Sequence, residues 1–263
     1  MNTTEPVPAA EVIDGVLQLT IATSAAGTSM DFDLITAGTA ALRALDPSVG
    51  AVLLTGAGAN FCAGGNVRDF AGADDRGAYL YAKATDLHDF VRALIDAPVP
   101  VVAAVQGWAA GAGMSLVCAA DIAIGGPSTK LRPAYPGIGF SPDGGMSWSL
   151  PRIVGLSRAR EILLTDAILG ADEAVRLGIL SRTVADTDIR TESLRVATSF
   201  VTGPRATHTA MKTLLAQSPT ATLTQQLDAE RDSIAAAANS ETGQEGVNAF
   251  IAKRKPNYTT ITA

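Results

Sequence analysis

Two short apolar runs, "AVLLT" (51–55) and "VPVVAAV" (99–105), each lead directly into a stretch of small residues. Neither run alternates polar with apolar side chains. A strand with one face in water would alternate, so both read as strands buried on both faces, as in a layered α/β core. The first opens into "GAGANFCAGG" (56–65), and the second, closed by Gly107, leads to "GAGMSLVCAA" (111–120). The latter reads as a helix whose small side chains let neighbouring backbone come close.

The rest of the chain fits that frame. "VIDGVLQLTIA" (12–22) is β-prone with a turn at Asp14-Gly15, and "DIAIG" (121–125) returns as a strand. Residues 31–45 carry Leu34, Ile35, Leu42 and Leu45 near helical spacing, and a helix over 78–96 is stopped by Pro98 and Pro100. Further helices are expected near 157–165, 171–177, 188–201, 205–216, 222–238 and 242–253. Strands therefore alternate with helices to about residue 185, and only helices follow.

Composition limits the functions open to such a chain. At 263 residues and 47% hydrophobic it can fill a large core. The net charge is −6, with acids and bases interspersed, so no broad electrostatic footprint for nucleic acid exists. The one dense basic cluster, Lys253-Arg254-Lys255, reads as a solvated helix end. The apolar runs are too short or too interrupted to span a bilayer, and "MNTTEPVPAAE" lacks the basic and apolar segments of a signal peptide. Two cysteines, Cys62 and Cys118, form no disulfide framework, so a reducing cytoplasm is expected.

Most site chemistries lack their residues. The two histidines, His88 and His208, have no ligand-spaced neighbour and read as surface or packing residues, so no metal is expected. There is no G-x-S-x-G elbow, Walker A motif or G-x-G-x-x-G fingerprint. What remains is the pair of glycine-rich strand exits. Backbone N–H groups of two such exits, converging on one point, would stabilise a developing oxyanion. Close packing of helix on strand explains the small residues equally well, and the sequence leaves both open. One acid stands out: Asp143 in "GIGFSPDGG" (137–145), where Asp before Gly is also a common turn pair.

Three segments resemble the signatures of the crotonase (enoyl-CoA hydratase/isomerase) superfamily: "AVLLTGAGANFCAGGN", "PVVAAVQGWAAGAGMSLVCAADIAI", and "YPGIGFSPDGGMSWSLPRIVGLSRAREILLT" followed by "ADEAVRLGIL". The resemblance spans roughly residues 12–257. The C-terminal "QLDAERD" and "EGVNAFIAKRKPNYT" resemble the 1,2-epoxyphenylacetyl-CoA isomerases and related enoyl-CoA isomerases. The resemblance implies an α/β fold, a spiral of ββα turns with a C-terminal helical trimerisation region. Residues 1–10 read as a loose arm, and the resemblance implies a core over 11–200 and an oligomerisation region over 201–263. It also implies a homotrimer or dimer of trimers, and an acyl-CoA thioester as substrate with no separate cofactor. The thioester oxygen would sit between the N–H groups of Gly65 and Ala112. Ala63, Gly64, Asn66, Arg68, Ser115 and Tyr135 would line the substrate site, and CoA phosphates would be met by Arg68, or by Lys253 and Lys255 of a neighbouring subunit.

Departures from the family pattern bear on the reaction. Family hydratases use two glutamates; here those positions hold Ser115 and either Ala134 or Tyr135. Without them, two-acid hydration is disfavoured. An isomerase needs one carboxylate, and Asp143 remains. The alternatives are a hydratase using water held by Asp143 and Ser115, a non-catalytic CoA-binding protein, and a dehalogenase-type nucleophile. The segment after the first strand, "TSAAGTSMDF", lacks the family's basic residues, and Asn66 replaces the acid that follows the first signature.

Overall fold

The structure is a computed structural model that describes residues 8–24, 28–259 and 261. The chain opens with β1 (Ala10–Ile13) and β2 (Val16–Ala22), joined at Asp14-Gly15, both at positive φ. Helix α1 (Phe32–Arg43), capped by the Asp31 carboxylate, leads to β3 (Ala51–Gly56). Next come α2 (Val67–Gly72), the long α3 (Arg76–Asp96), β4 (Val101–Val105), β5 (Trp108–Ala110) and α4 (Ala112–Ala119). They are followed by β6 (Ile122–Gly125), β7 (Lys130–Arg132), α5 (Met146–Val154), α6 (Leu156–Leu164), β8 (Leu169–Gly170), α7 (Ala171–Arg176) and β9 (Arg182–Thr183). Among the described residues, every regular element after β9 is helical: α8 (Ile189–Val201), α9 (Arg205–Gln217), α10 (Leu223–Asn239) and α11 (Glu241–Ile251).

A six-stranded sheet runs in the order β1-β2-β3-β4-β6-β9, parallel throughout except for the β1–β2 hairpin. Every residue of β3 and β4 is buried. One face packs Val52 and Leu54 into the main core with Ile35, Leu87 and Phe90. The other packs Ala51 and Leu53 against Ile189, Val196 and Ala197 of α8. Burial on both faces is the physical reason that these strands read as continuous apolar runs.

A second sheet, β5-β7-β8, receives the chain after β4 and after β6. β4 passes into β5 and then α4; β6 passes into β7 and, after a loop, α5. Beyond β3, Cys62 bridges Ala109 in parallel, so that exit joins the same layer before α2. The expected spiral of ββα turns is this repetition.

Several details differ from the sequence expectation. Ala9 and Ala10, expected in a loose arm, pair with Thr20 and Leu19; residues 1–7 of that arm lie outside the described residues. The three-residue strands β5 and β7, the two-residue β8 and β9, and the short α2 carry no local sequence signal. Helix α5 forms despite Pro151, because Met146 and Leu150 are fully buried and anchor it. Among the described residues, no helix is long and apolar enough to cross a membrane.

Candidate active site

A cavity of about 730 Å³ opens where the two glycine-rich exits meet the loop before α5. The first exit lies along the second strand of its neighbour. Cys62 N donates to Trp108 O (3.1 Å), and Ala110 N donates to Cys62 O (2.9 Å). Helix α4 then starts at Ala112 with its first turn pressed on this segment; a Cβ on Gly113 would stand 2.2 Å from Cys62 O. Small residues are thus required here for close packing, and the packing brings Gly65 and Ala112 to the same cavity wall. Ala112 is the first residue of α4, so its N–H has no acceptor within the helix and carries the positive end of the helix dipole.

Asp143 reaches the same cavity from a rigid turn. Met146 N donates to Asp143 O (3.1 Å). Gly144 and Gly145 lie between them at φ +59° and +79°, the left-handed pattern of a type I′ turn. An added Cβ on Gly144 would meet Ser115 Cβ at 2.9 Å, so the turn is also wedged against α4.

The side chain of Asp143 is held as firmly as its backbone. Tyr135 Oη donates to Asp143 Oδ1 at 2.9 Å, and Ser115 Oγ donates to Asp143 O at 3.0 Å. Ser115 and Tyr135 stand 3.3 Å apart, both buried. Burial first, and the neighbouring Asp143 charge second, push the Tyr135 phenol above its ordinary range. It is therefore a neutral donor to the carboxylate at any working pH. One oxygen of Asp143 is bound and the half-buried group keeps the other available.

Tyr135 is itself aimed by an ion pair. Arg132 donates to Asp166 Oδ2 through Nε (3.0 Å) and Nη2 (2.6 Å), and Ala134 N donates to Asp166 Oδ1 (2.7 Å). Ala134 is held at φ +61°, a conformation costly for a residue with a Cβ. Arg132 lines the cavity but its guanidinium is engaged there by Asp166.

Of the residues singled out from sequence, the cavity gathers Ala63, Gly64, Gly65, Ala112, Tyr135 and Asp143. Ser115 lies beneath it, buried, with its hydroxyl within reach of Asp143 O and Gly111 O rather than the cavity. Asn66 does not line the wall; it caps α2, its Oδ1 accepting from Arg68 N (3.2 Å). Arg68 is exposed outside the lining, as are Lys253 and Lys255 beyond α11. Within one chain, these cations do not reach the cavity.

Other lining residues carried no sequence signal of their own. Leu80, Lys83, Ala84 and Leu87 project from one face of α3, at helical spacing that could have marked them as a group. Lys83 Nζ stands 4.8 Å from the Phe32 ring centre and 3.5 Å from Asp86. His88, expected as a surface or packing residue, is partly buried and accepts a hydrogen bond from Gly144 N through Nε2 at 3.2 Å.

The comparisons with known proteins agree with this architecture. The chain is 36% identical over 222 residues to the 1,2-epoxyphenylacetyl-CoA isomerase of Escherichia coli (strain K12), covering 81% of this chain and 82% of that protein. It is 35% identical over 161 residues to 4-chlorobenzoyl coenzyme A dehalogenase-1 of an Arthrobacter species, covering 60% and 58% of the two chains. The crystal structure of an enoyl-CoA hydratase from Polaromonas sp. JS666 superposes with a TM-score of 0.90 at 32% identity, over 94% of this chain and 98% of that one. With residues 11–260 matching the family throughout, the chain belongs to the enoyl-CoA hydratase/isomerase family of enzymes and has its crotonase fold.

Proposed function

We propose that the chain is an acyl-CoA isomerase, shifting a double bond or rearranging an epoxide in a CoA thioester through an enolate. The observation that carries this is the single acid. Among the described residues that line the cavity, Asp143 is the one carboxylate, and it shares that cavity with Gly65 and Ala112. Two-acid water addition has no second acid to use.

The steps follow from the groups present. With a 3-enoyl thioester, the free oxygen of Asp143 takes a proton from C2. The electron pair moves into a dienolate whose charge collects on the thioester oxygen. The N–H groups of Gly65 and Ala112 donate to that oxygen, each worth roughly 3–4 kcal/mol in sites of this kind. Asp143, now a neutral acid, returns the proton at C4. Tyr135 keeps Oδ1 occupied, so one oxygen carries the proton both ways. The same enolate stabilisation would serve an epoxide rearrangement, the chemistry named for the relative from Escherichia coli.

Hydration through water held by Asp143 and Ser115 is less well supported, because the Ser115 hydroxyl is directed to the Asp143 carbonyl. Assembly as a homotrimer or dimer of trimers is part of the proposal. Helices α9 and α10 bury no residue within the chain and expose Leu215, Leu223 and Ile234. In an assembly, Lys253 and Lys255 could serve a neighbour's CoA phosphates. A cytoplasmic location is in keeping with two buried free thiols; burial pushes Cys62 up to about 12.

The test is a panel of 3-enoyl-CoA thioesters, followed by absorbance of the conjugated thioester and by product mass. Isomerisation leaves the mass unchanged; a product heavier by one water would indicate a hydratase. Tight binding without turnover of any thioester would indicate a non-catalytic protein.

A further inference from the structure

We infer that His88 is a positioning residue for Asp143, acting through the amide of Gly144. The inference rests on Asp143 being the acid/base. The imidazole is partly buried and is not among the cavity-lining residues. Its Nε2 accepts the Gly144 N–H at 3.2 Å. A ring nitrogen that accepts carries no proton, so in this arrangement the proton of the neutral ring is on Nδ1.

The consequence comes from peptide geometry. The carbonyl of Asp143 and the N–H of Gly144 belong to one planar unit. Its oxygen accepts from Ser115 Oγ on α4 (3.0 Å) and from Met146 N (3.1 Å), and its N–H is bound to His88 on α3. A plane held at both ends by two different helices cannot swivel. Asp143 is then anchored on the C-terminal side of its Cα, and Tyr135 Oη fixes the carboxylate at Oδ1. Without His88, the plane keeps its oxygen contacts but gains a hinge at Gly144, whose positive φ and missing side chain make it the most permissive residue of the turn.

The test compares wild type, His88→Leu and His88→Gln in the full chain. Leucine keeps apolar bulk and removes the acceptor; glutamine keeps an amide oxygen able to accept near the Nε2 position. The expected result for His88→Leu is a kcat lower by about 10–100-fold, the scale of small misplacements, with KM within about threefold. Amide exchange in the 141–146 segment should rise, and His88→Gln should restore both protection and most of kcat. A Leu variant with kcat within about twofold of wild type would overturn the positioning role. So would a Gln variant that regains protection yet stays as slow as Leu, which would assign chemistry to the imidazole itself. If the Leu variant does not melt cooperatively, His88→Met supplies the same comparison. Should wild type turn over no enoyl-CoA, the isomerase proposal fails separately; unchanged exchange at 141–146 would then still overturn the Gly144–His88 bond.

Discussion

Tyr135 and Asp143 lie eight residues apart, and the phenol of the first donates to Oδ1 of the second at 2.9 Å. The bond leaves the carboxylate one available oxygen and one orientation. Tyr135→Phe keeps the ring and removes the donor. A hydrogen bond to a charged group contributes about 1.5–3 kcal/mol, so unfolding free energy should fall by about that much or less. The expected kinetic effect is a kcat lowered by about 10-fold with little change in KM. Steady-state kinetics beside urea denaturation separate the two.

Gly113 is where α4 meets the Cys62 segment. An alanine there would place Cβ 2.2 Å from a backbone oxygen, which cannot rotate away. The two exits must separate, carrying Gly65 away from Ala112. Gly113→Ala should destabilise by about 1–3 kcal/mol, the usual range for overpacking. It should also reduce kcat by more than about 10-fold in variants that still fold. Native-like stability with full turnover would show that the spacing of the two amides is unimportant.

His208 gives a pH signature in the helical region. Its ring meets Phe200 edge-on, and its Nδ1 is buried without a hydrogen-bond partner. Burial lowers its pKa below the ordinary 6.5. The unfolded chain therefore binds the proton more readily than the folded one. Its contribution to stability is complete above about pH 6.5 and declines as pH falls below that value. Melting temperature measured across pH 7.5 to 5 should fall on the acid side, and His208→Phe should flatten that part of the curve. An unchanged slope in the variant would exclude His208 as its source.

Asp166 supports Tyr135 from below by binding both Arg132 and the Ala134 amide. Asp166→Asn keeps the shape and removes the charge that holds Arg132. Ala134, at φ +61°, should then relax toward an ordinary conformation and turn Tyr135 off Asp143. The predicted result is a loss of kcat close to that of Tyr135→Phe, and little further loss when the two changes are combined. Additive losses in the double-mutant cycle would contradict this chain of support.

The sequence revealed those parts of the fold where burial writes a continuous pattern. β3 and β4 were legible because both faces are covered, and α3, α8 and the C-terminal helices because they are long. β5 and β7 were not, since Trp-Ala-Ala and Lys-Leu-Arg acquire strand character from partners more than twenty residues away. Helix α5 was concealed by Pro151. Asp143 stood out as an acid among glycines, and the family resemblance supplied Gly65 and Ala112. The Ser115–Tyr135–Asp143 cluster and the His88 contact, 56 residues from Gly144, are long-range pairings with no local periodicity to announce them. Asn66, at a family site position, also serves here as a helix cap, a role set by the turn that follows it.

The central claim is that one carboxylate moves the proton, and Asp143→Asn tests it most directly. Asparagine preserves shape and can still accept from Tyr135, but it is no base at neutral pH. With a 3-enoyl-CoA that wild type isomerises, the variant should bind with similar affinity and lose about 10²–10⁴-fold in kcat, the usual contribution of a positioned acid/base. Retention of more than about a tenth of wild-type kcat would contradict the account.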